Sequence, residues 1–531
     1  MLRDRYYLWL SGLILLLSLP ARFAGLSNSL WLDEAWVANS VLAPSLRDMF
    51  LSKTWAQTSP PLFLLLERWA AVFAGHSEPA LRILPVAAVL TGLVLTALAL
   101  RRWLSVPAAL LGFTLLVGNY WVIKYGQAVK QYGTDFLVSA LLLWLLGCLI
   151  ESRTPRPHPA ALLAVAAAGL IMSYTTAVWL PTLLIFAAIP RQPDGVPALR
   201  WSGFRWRATA RAGFVLGTVL LIEYVIFIRP NRTPALIRSL HSSYLDPRHP
   251  LVSLQRLISA AGVLLASLPG LAGGLVGLSA AALAVYATVR AVREAQAGKP
   301  RGFLIVLAGA LPLACLLAVG ALGLYPVLDY PRMLLFALPS VALLLAYGAD
   351  ALLRLVNNRP SQAFQTGWRA AVLAACLAAT ATSQFVYFRY PRPSEENRPA
   401  MAFIQSRLEP SDLLFVHGGM YEQLKYYRTE LGFRPQQLYV GNTHWPCCAT
   451  GDLREATSPA STDFANDLLE AARRAKRSRL WLVFPAGATG HWSAFFRDKI
   501  EAMPSILVRG GCTREVHKLY GQTLVESYSC H

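Results

Sequence analysis

Ser29-Leu30-Trp31-Leu32-Asp33-Glu34-Ala35-Trp36 stands a few residues past the first long apolar run of the chain, roughly residues 6–27. An ionised carboxylate is costly in hydrocarbon, so two in a row mark where the chain has left a bilayer core. Trp31 and Trp36, on either side, are residues that favour the membrane–water interface. The stretch holds acid chemistry at a membrane surface, where a lipid-borne head group would meet it. Asp33 and Glu34 are therefore the first candidates for a catalytic site.

Composition around this stretch sets the class. Of 531 residues, 55% are hydrophobic and 15% charged, against about 25% charged in soluble domains; the mean hydropathy is +0.43. Apolar runs recur near 7–26, 82–100, 106–123, 134–150, 159–175, 176–190, 212–229, 270–289, 303–321, 332–349 and 370–387. That gives about eleven transmembrane helices, each judged against a ~30 Å core. The 159–190 region is short for two crossings, and 251–290 holds one or two. With the amino terminus cytoplasmic, inside loops carry Arg3 and Arg5, Arg101 and Arg102, Arg153 and Arg156, and the group from Arg191 to Arg211. Arg290 to Arg301 and Arg354 to Arg369 continue the series, as positive-inside orientation requires. One outside loop, with Arg232, Arg238, Arg248 and Arg256, runs against it. The net charge of +20 thus orients helices and meets anionic lipid rather than nucleic acid. The first span, basic then apolar, reads as an uncleaved helix because many spans follow it. An odd span count puts the tail outside.

Residues 1–387 read as a polytopic α-helical membrane body, with 28–81 as its first outside loop. Within that loop 35–51 and 60–74 are too short or too polar to cross, and Trp36, Val37, Leu42, Leu46, Phe50 and Leu51 share a helical face. These segments read as amphipathic helices in the interface, or as a loop packed on the membrane body. Tyr390 to Pro399 is polar and proline-rich, which marks a linker. Beyond it, strand-like runs at 412–416, 437–440 and 479–484 alternate with helical ones at 420–429, 462–477 and 491–502. Residues 388–531 therefore read as a small extracytoplasmic α/β domain. Cys148, Cys315 and Cys376 lie in apolar spans, whereas Cys447, Cys448, Cys512 and Cys530 share the tail. An oxidising compartment favours one or two disulfides among the four, with the pairing open. Zinc at His444 with Cys447 and Cys448 is the weaker alternative, because the spacing matches no ordinary zinc knuckle.

This topology brings Asp33, Glu34, Arg82, Lys124, Lys130 and Arg332 to the outside face, with Tyr125, Gln127, Tyr132 and the Ser59-Pro60-Pro61 turn beside them. A carboxylate pair among separate cations suits a base acting next to a phosphate: Lys offers a point charge, Arg a bidentate fork. Sugar transfer from a lipid phosphate needs such a set. The leaving phosphate requires electrostatic stabilisation, and the acceptor hydroxyl or amine requires a base. A glycoside hydrolase needs two carboxyls flanking one bond, whereas adjacent side chains diverge on most backbones. Plainer readings stand beside these. Either acid fits the first turn of a helix, Arg82 and Arg332 fit snorkelling anchors, and Lys130 fits an ion pair with Asp135.

Leu30-Trp31-Leu32-Asp33-Glu34-Ala35, then Pro60-Pro61-Leu62-Phe63-Leu64-Leu65-Leu66, then Arg82, resembles in that order the GT-C glycosyltransferases. Within them the chain is most similar to bacterial enzymes of the protein O-mannosyltransferase and aminoarabinose-transferase type (glycosyltransferase family 39-like). Lys124-Tyr125-Gly126-Gln127-Ala128-Val129-Lys130-Gln131-Tyr132 and Tyr330-Pro331-Arg332-Met333-Leu334-Leu335-Phe336-Ala337-Leu338-Pro339 resemble two further signatures. The resemblance covers roughly 1–350 and is weak in the tail. It implies an inverting transferase of the bacterial inner membrane, facing the periplasm or cell exterior. The donor would be a polyprenyl-phosphate sugar, and the acceptor a lipid, a glycan or a protein. On matching positions Asp33 is the base and Glu34 its neighbour, with Lys130 and Arg332 near the donor phosphate. Arg82, Lys124, Gln127 and Tyr132 complete the expected substrate-binding set. The chain departs from its relatives at Ser59, where they often have His, and at Ala128, where they often have an acid. Some GT-C enzymes use a divalent cation; no metal or other cofactor is expected here.

Two other classes of function stay open. One is a lipid-linked glycan flippase or exporter, although the spans carry few polar groups near mid-bilayer. The other is a non-catalytic envelope-glycan assembly protein, which would tolerate Asp33→Asn. The tail is expected to recognise the acceptor or gate the site, with Tyr421, Tyr426, Tyr427, Trp445 and Trp492 as stacking faces for sugars.

Overall fold

The computed structural model describes residues 2–51, 58–150, 159–189, 206–231, 241–266, 270–297, 299–328, 330–357, 362–389, 395–434, 437–440, 464–476, 478–486 and 491–531. Arg153, Arg156, Arg191, Arg200, Arg205, Arg232, Arg238, Arg359, His444, Trp445, Cys447 and Cys448, weighed above, lie outside the described residues.

α1 (Leu2–Phe23) leads into three short helices, α2 (Leu32–Val41), α3 (Leu46–Leu51) and α4 (Pro61–Ala74). Then come α5 (Glu78–Trp103), α6 (Val106–Val117), α7 (Tyr120–Tyr125) and α8 (Tyr132–Ile150). α9 (Pro159–Met172), a 3-10 turn at Tyr174–Trp179, α10 (Leu180–Ala188) and α11 (Trp206–Glu223) follow. α12 (Pro250–Ala266), α13 (Gly270–Gln296), α14 (Arg301–Ala321), α15 (Leu338–Asn357) and α16 (Gln362–Arg389) complete the membrane body. Among the described residues, seven helices are long and apolar enough to cross a membrane, and four shorter apolar segments accompany them. This is a multi-pass membrane protein. The 251–290 region forms two helices, and α16 covers the last expected span.

The bundle packs around large side chains that include Trp103, Phe113, Phe136, Trp179 and Phe186. Close packing at the head of α8 depends on Gly133, where a Cβ would come within 2.6 Å of the Pro85 carbonyl oxygen. That approach seats the first turn of α8 against α5, directly behind the candidate site.

The sequence reads 35–51 as an amphipathic segment, in the interface or packed on the membrane body; the structure divides it into α2 and α3, with Pro44 in the break. Eight consecutive residues of α2, Glu34 to Val41, are buried, which leaves no face for lipid. Val37, Ala38 and Val41 pack with Phe63 and Leu64 of α4, and the carboxy-terminal domain covers the other side. α4 keeps an apolar edge: Trp69, Val72 and Phe73 are exposed, as suits a helix lying along a bilayer surface.

The tail is a compact α/β unit. Its elements are α17 (Asn397–Gln405), β1 (Leu413–Val416), α18 (Tyr421–Leu431), β2 (Leu438–Val440), α19 (Phe464–Arg474), β3 (Arg479–Pro485), α20 (His491–Arg509), β4 (Cys512–Tyr520) and β5 (Thr523–Cys530). The sheet order is β2-β1-β3-β5-β4. β1 runs parallel to β2 and β3, while β5 is antiparallel to β3 and β4. α17 occupies the end of the expected linker, and the β4–β5 hairpin adds two strands to the sequence reading. Gly521 turns the hairpin at a φ of 55°, a conformation open to glycine. Cys512 and Cys530 are cross-strand partners joined by a disulfide.

Candidate active site

Adjacent acids at the start of α2 face different surroundings. Glu34 turns inward and is buried with Arg82 of α5. Arg82 Nε donates to Glu34 Oε1 at 3.2 Å and Nη2 to Oε2 at 2.8 Å, a bidentate pair. Oε1 also accepts from the Val129 amide at 2.8 Å, and Oε2 from the Trp31 amide at 3.3 Å. The remaining Arg82 donors reach the turn after α1: Nη1 bonds the carbonyls of Gly25 at 3.2 Å, Leu26 at 2.8 Å and Asn28. Nη2 adds Ser29 at 3.4 Å. Arg82 and Glu34 thus tie three chain segments together, and both face the protein interior rather than an open cleft.

Gln127 is used in the same way. Its Nε2 donates to the carbonyls of Ala21 and Ile123, both at 2.9 Å, and to the Tyr387 hydroxyl at 3.2 Å. Its Oε1 accepts from the Gly25 amide at 2.8 Å. Backbone groups left over where α1 ends need partners, and Arg82 and Gln127 satisfy them. Nothing local in the sequence announces that duty.

Glu67 of α4 is fully buried, with neither carboxyl oxygen hydrogen-bonded. Burial first, and Glu34 second, push its carboxyl well above the usual range.

Asp33 points the other way. Arg332 Nη2 lies 3.4 Å from Asp33 Oδ2, and the two side chains are 24% and 22% exposed. The Arg332 guanidinium stacks between Trp31 and Tyr330, 4.9 and 4.8 Å from their ring centroids. Its Nε is buried and has no hydrogen-bond partner. Tyr125 and Tyr132 meet edge to face at 5.8 Å, and both lie within electrostatic reach of that guanidinium. Lys130 is buried in the same place. Burial pushes its ammonium down to about 8, while Asp33 supports the charge and Arg332 opposes it. Lys124 stands over the outer ring, 5.7 Å from the Tyr125 centroid. Asp33, Lys130, Tyr132 and Arg332 therefore lie within electrostatic reach of one another, with Lys124 beside Tyr125. Ser59 sits to the side, its hydroxyl 3.4 Å from Gln131 Oε1.

The carboxy-terminal domain grips the Asp33 helix. Glu395 Oε2 accepts from the amide of Leu32 at 3.3 Å, and from Asn397 Nδ2 and Gln423 Nε2 at 3.2 and 3.0 Å. Burial, more than any other influence, raises its carboxyl pKa. The Tyr427 hydroxyl accepts from the Leu30 amide at 2.7 Å and donates to Glu78 Oε1 at 3.1 Å. Asn39 Nδ2 donates to the Glu422 side chain at 2.7 Å, and Arg398 pairs with Glu78 at 2.9 Å. Sequence reasoning did not find these contacts, because no short-range pattern links residues nearly four hundred apart.

Among the described residues no cluster of three or more His, Cys, Asp and Glu side chains is placed to hold a metal ion. The set around Asp33 offers one carboxylate between two cations, with Ala128 buried nearby.

A helical membrane body therefore meets short loop helices and an α/β domain at the end where Asp33 lies. No family model matches this chain, and no curated protein matches it. Solved structures do. The crystal structure of ArnT from Cupriavidus metallidurans in the apo state superposes with a TM-score of 0.52 at 14% identity, over 97% of each chain. The same protein bound to undecaprenyl phosphate gives 0.51 at 12% identity, again over 97% of each chain. The archaeal oligosaccharyltransferase AglB from Archaeoglobus fulgidus, in complex with an inhibitory peptide and a dolichol-phosphate, gives 0.50 at 12% identity, over 99% of this chain and 74% of its own. The likeness shows the fold, and it matches the resemblance carried by the sequence motifs.

Proposed function

We propose that this chain is a membrane glycosyltransferase that moves a hexosyl or pentosyl group from a polyprenyl-phosphate donor to an acceptor at the loop end of the bundle. The observation that carries the reading is the Asp33–Arg332 contact of 3.4 Å with Lys130 buried beside it, a base and two cations together. The undecaprenyl phosphate and dolichol-phosphate held by the similar structures support a lipid-phosphate donor here.

In this reading the donor phosphate binds at Lys130 and Arg332, whose unpartnered Nε supplies a directed donor. The acceptor hydroxyl or amine attacks the anomeric carbon from the face opposite the phosphate. One bond forms from the acceptor oxygen or nitrogen to that carbon as the carbon–oxygen bond to phosphate breaks, which inverts the centre. The electron pair leaves on the phosphate, where the two cations neutralise it, and the acceptor proton passes to Asp33. Glu34 and Arg82 hold the helix that carries the base. In this reading the orientation expected from the basic loops puts this end on the outer side of the cell (inner) membrane, with the amino terminus cytoplasmic.

The test is transfer of label from radiolabelled polyprenyl-phosphate sugars in membranes, comparing the wild type with Asp33→Asn, with native membrane extract as acceptor. A general base contributes roughly 10²–10⁴-fold, so transfer should fall by at least about a hundredfold in the variant while protein level and fold persist. Equal transfer in both would reduce Asp33 to a residue of the first helical turn.

A further inference from the structure

A second polar cluster lies deeper in the bundle, behind Tyr132. α9 has 14 residues, roughly 21 Å at ~1.5 Å per residue, which falls short of a ~30 Å hydrocarbon core. At its end the chain meets the first loop, where the Tyr174 hydroxyl reaches the Ser59 carbonyl. There Ser173 breaks the helix in an extended conformation, φ −157° and ψ 112°, and Tyr174–Trp179 continues as a 3-10 turn. Irregular backbone at membrane depth survives only where protein buries it or where it lines a wet cavity. α11 meets the same region. Only Leu216 and Glu223 of that helix are buried, and a π-helical turn at Tyr224–Ile228 follows immediately. Such turns gather at functional sites.

Asp135 and Tyr174 lie at this break, and Glu223 is within electrostatic reach of Tyr174. Asp135, in the first turn of α8, has the Ser173 hydroxyl beside it. Tyr174 lies within electrostatic reach of both Asp135 and Glu223, and its hydroxyl donates to the Ser59 carbonyl at 3.1 Å. Asp135 and Glu223 are 6% and 4% exposed, yet Asp135 Oδ1 and Glu223 Oε2 have no hydrogen-bond partner. Buried acceptors in a native membrane protein are paired or functional. The cluster also joins the Asp33 group: Tyr132 is within reach of Asp33, Arg332 and Asp135, and Tyr325 of Asp135 and Tyr132.

We propose that Asp135, Tyr174 and Glu223 form the subsite that holds the sugar ring of the donor. This rests on the transferase reading above and names the part of the site that recognises the transferred group. The chemistry separates the two halves of the donor. A phosphate is drawn to Lys130 and Arg332 and repelled by carboxyl oxygens, while a ring rich in hydroxyls supplies donors to Asp135 Oδ1 and Glu223 Oε2. The donor is thereby oriented, with its anomeric carbon at the boundary next to Asp33.

The experiment is equilibrium binding to the full-length protein in lipid nanodiscs. The probes are undecaprenyl phosphate alone and undecaprenyl phosphate carrying mannose, glucose or arabinose. The wild type should bind at least one glycosylated probe about tenfold or more tightly than the bare lipid phosphate. Asp135→Asn and Glu223→Gln should each erase most of that preference and leave binding of the bare lipid phosphate unchanged. Retention of the preference in both variants, or its absence in the wild type, overturns the subsite and leaves the transferase reading standing. Failure of the wild type to bind any lipid phosphate overturns that reading and the subsite with it. If Asp135→Asn loses the bare lipid phosphate as well, Glu223→Gln decides, since it lies on a mainly lipid-facing helix. Loss of the bare lipid phosphate by both variants makes the pair structural and ends the proposal.

Discussion

At the residue scale, Asp33 and Glu34 divide two tasks that their adjacency conceals. Successive helical positions differ by about 100°, so one acid enters the Arg82 tie while the next faces Arg332. Removing Arg82 leaves Glu34 buried without its counter-charge, a change that costs about 3–5 kcal/mol. Arg82→Ala should therefore lower thermal stability in detergent, and Arg82→Lys should not rescue it, because a point charge cannot replace the fork and the carbonyl contacts. Lys130 carries a different prediction. Its ammonium, pushed down to about 8 by burial, holds its charge below that pH and loses it above. Binding of undecaprenyl phosphate should weaken as pH rises through about 8, and Lys130→Arg, charged throughout, should flatten that dependence. An unaltered pH profile in Lys130→Arg would remove Lys130 from the phosphate contact.

At the scale of elements, α2 is the piece whose environment the sequence describes least well. Its apolar pattern suggested a bilayer surface; instead Tyr427, Asn39 and Glu395 fasten it between α4 and the tail. Tyr427→Phe removes a buried hydroxyl that both accepts and donates, with a loss of about 1–3 kcal/mol. Amide hydrogen exchange should then quicken across residues 30–41 and stay unchanged in α5 and α8. Unchanged exchange at 30–41 would mean the clasp contributes little to its order. Much else at this scale was legible. Apolar runs marked the seven long membrane helices among the described residues, though about eleven spans were expected, and alternating strand and helix patterns gave β1, β2 and β3 within a residue or two. The β4–β5 hairpin was missed because His517, Lys518 and Glu526 break up its apolar alternation. α17 was hidden because Pro391, Pro393 and Pro399 read as linker, although Pro399 lies within the first turn of α17, where proline is tolerated. Asp33, Lys130, Tyr132 and Arg332 could be brought together from topology alone. Arg82 and Gln127 could not be set apart from them, since only the fold shows which cations and amides the turn after α1 consumes.

At the scale of the whole molecule, the membrane body and the tail meet through α2 and the head of α5. A chain ending at Arg389 should still insert and keep the packed bundle of α5, α8 and α15, because that core is built without the tail. It should lose label transfer by at least about tenfold, as α2 would expose a face that the tail covers. Full transfer by the truncated chain would show that the tail neither orders α2 nor serves the acceptor. Such a result would also remove the link between the clasp and the base.

The bond from Leu32 to Glu395 spans 363 residues. At roughly 5–20 residues per second of synthesis, the Asp33 helix waits about 20–70 s on the ribosome's progress before this contact can form. Through that interval the membrane spans accumulate around an unfinished centre. A nascent chain that stops short of Glu395 therefore carries the motif without this contact.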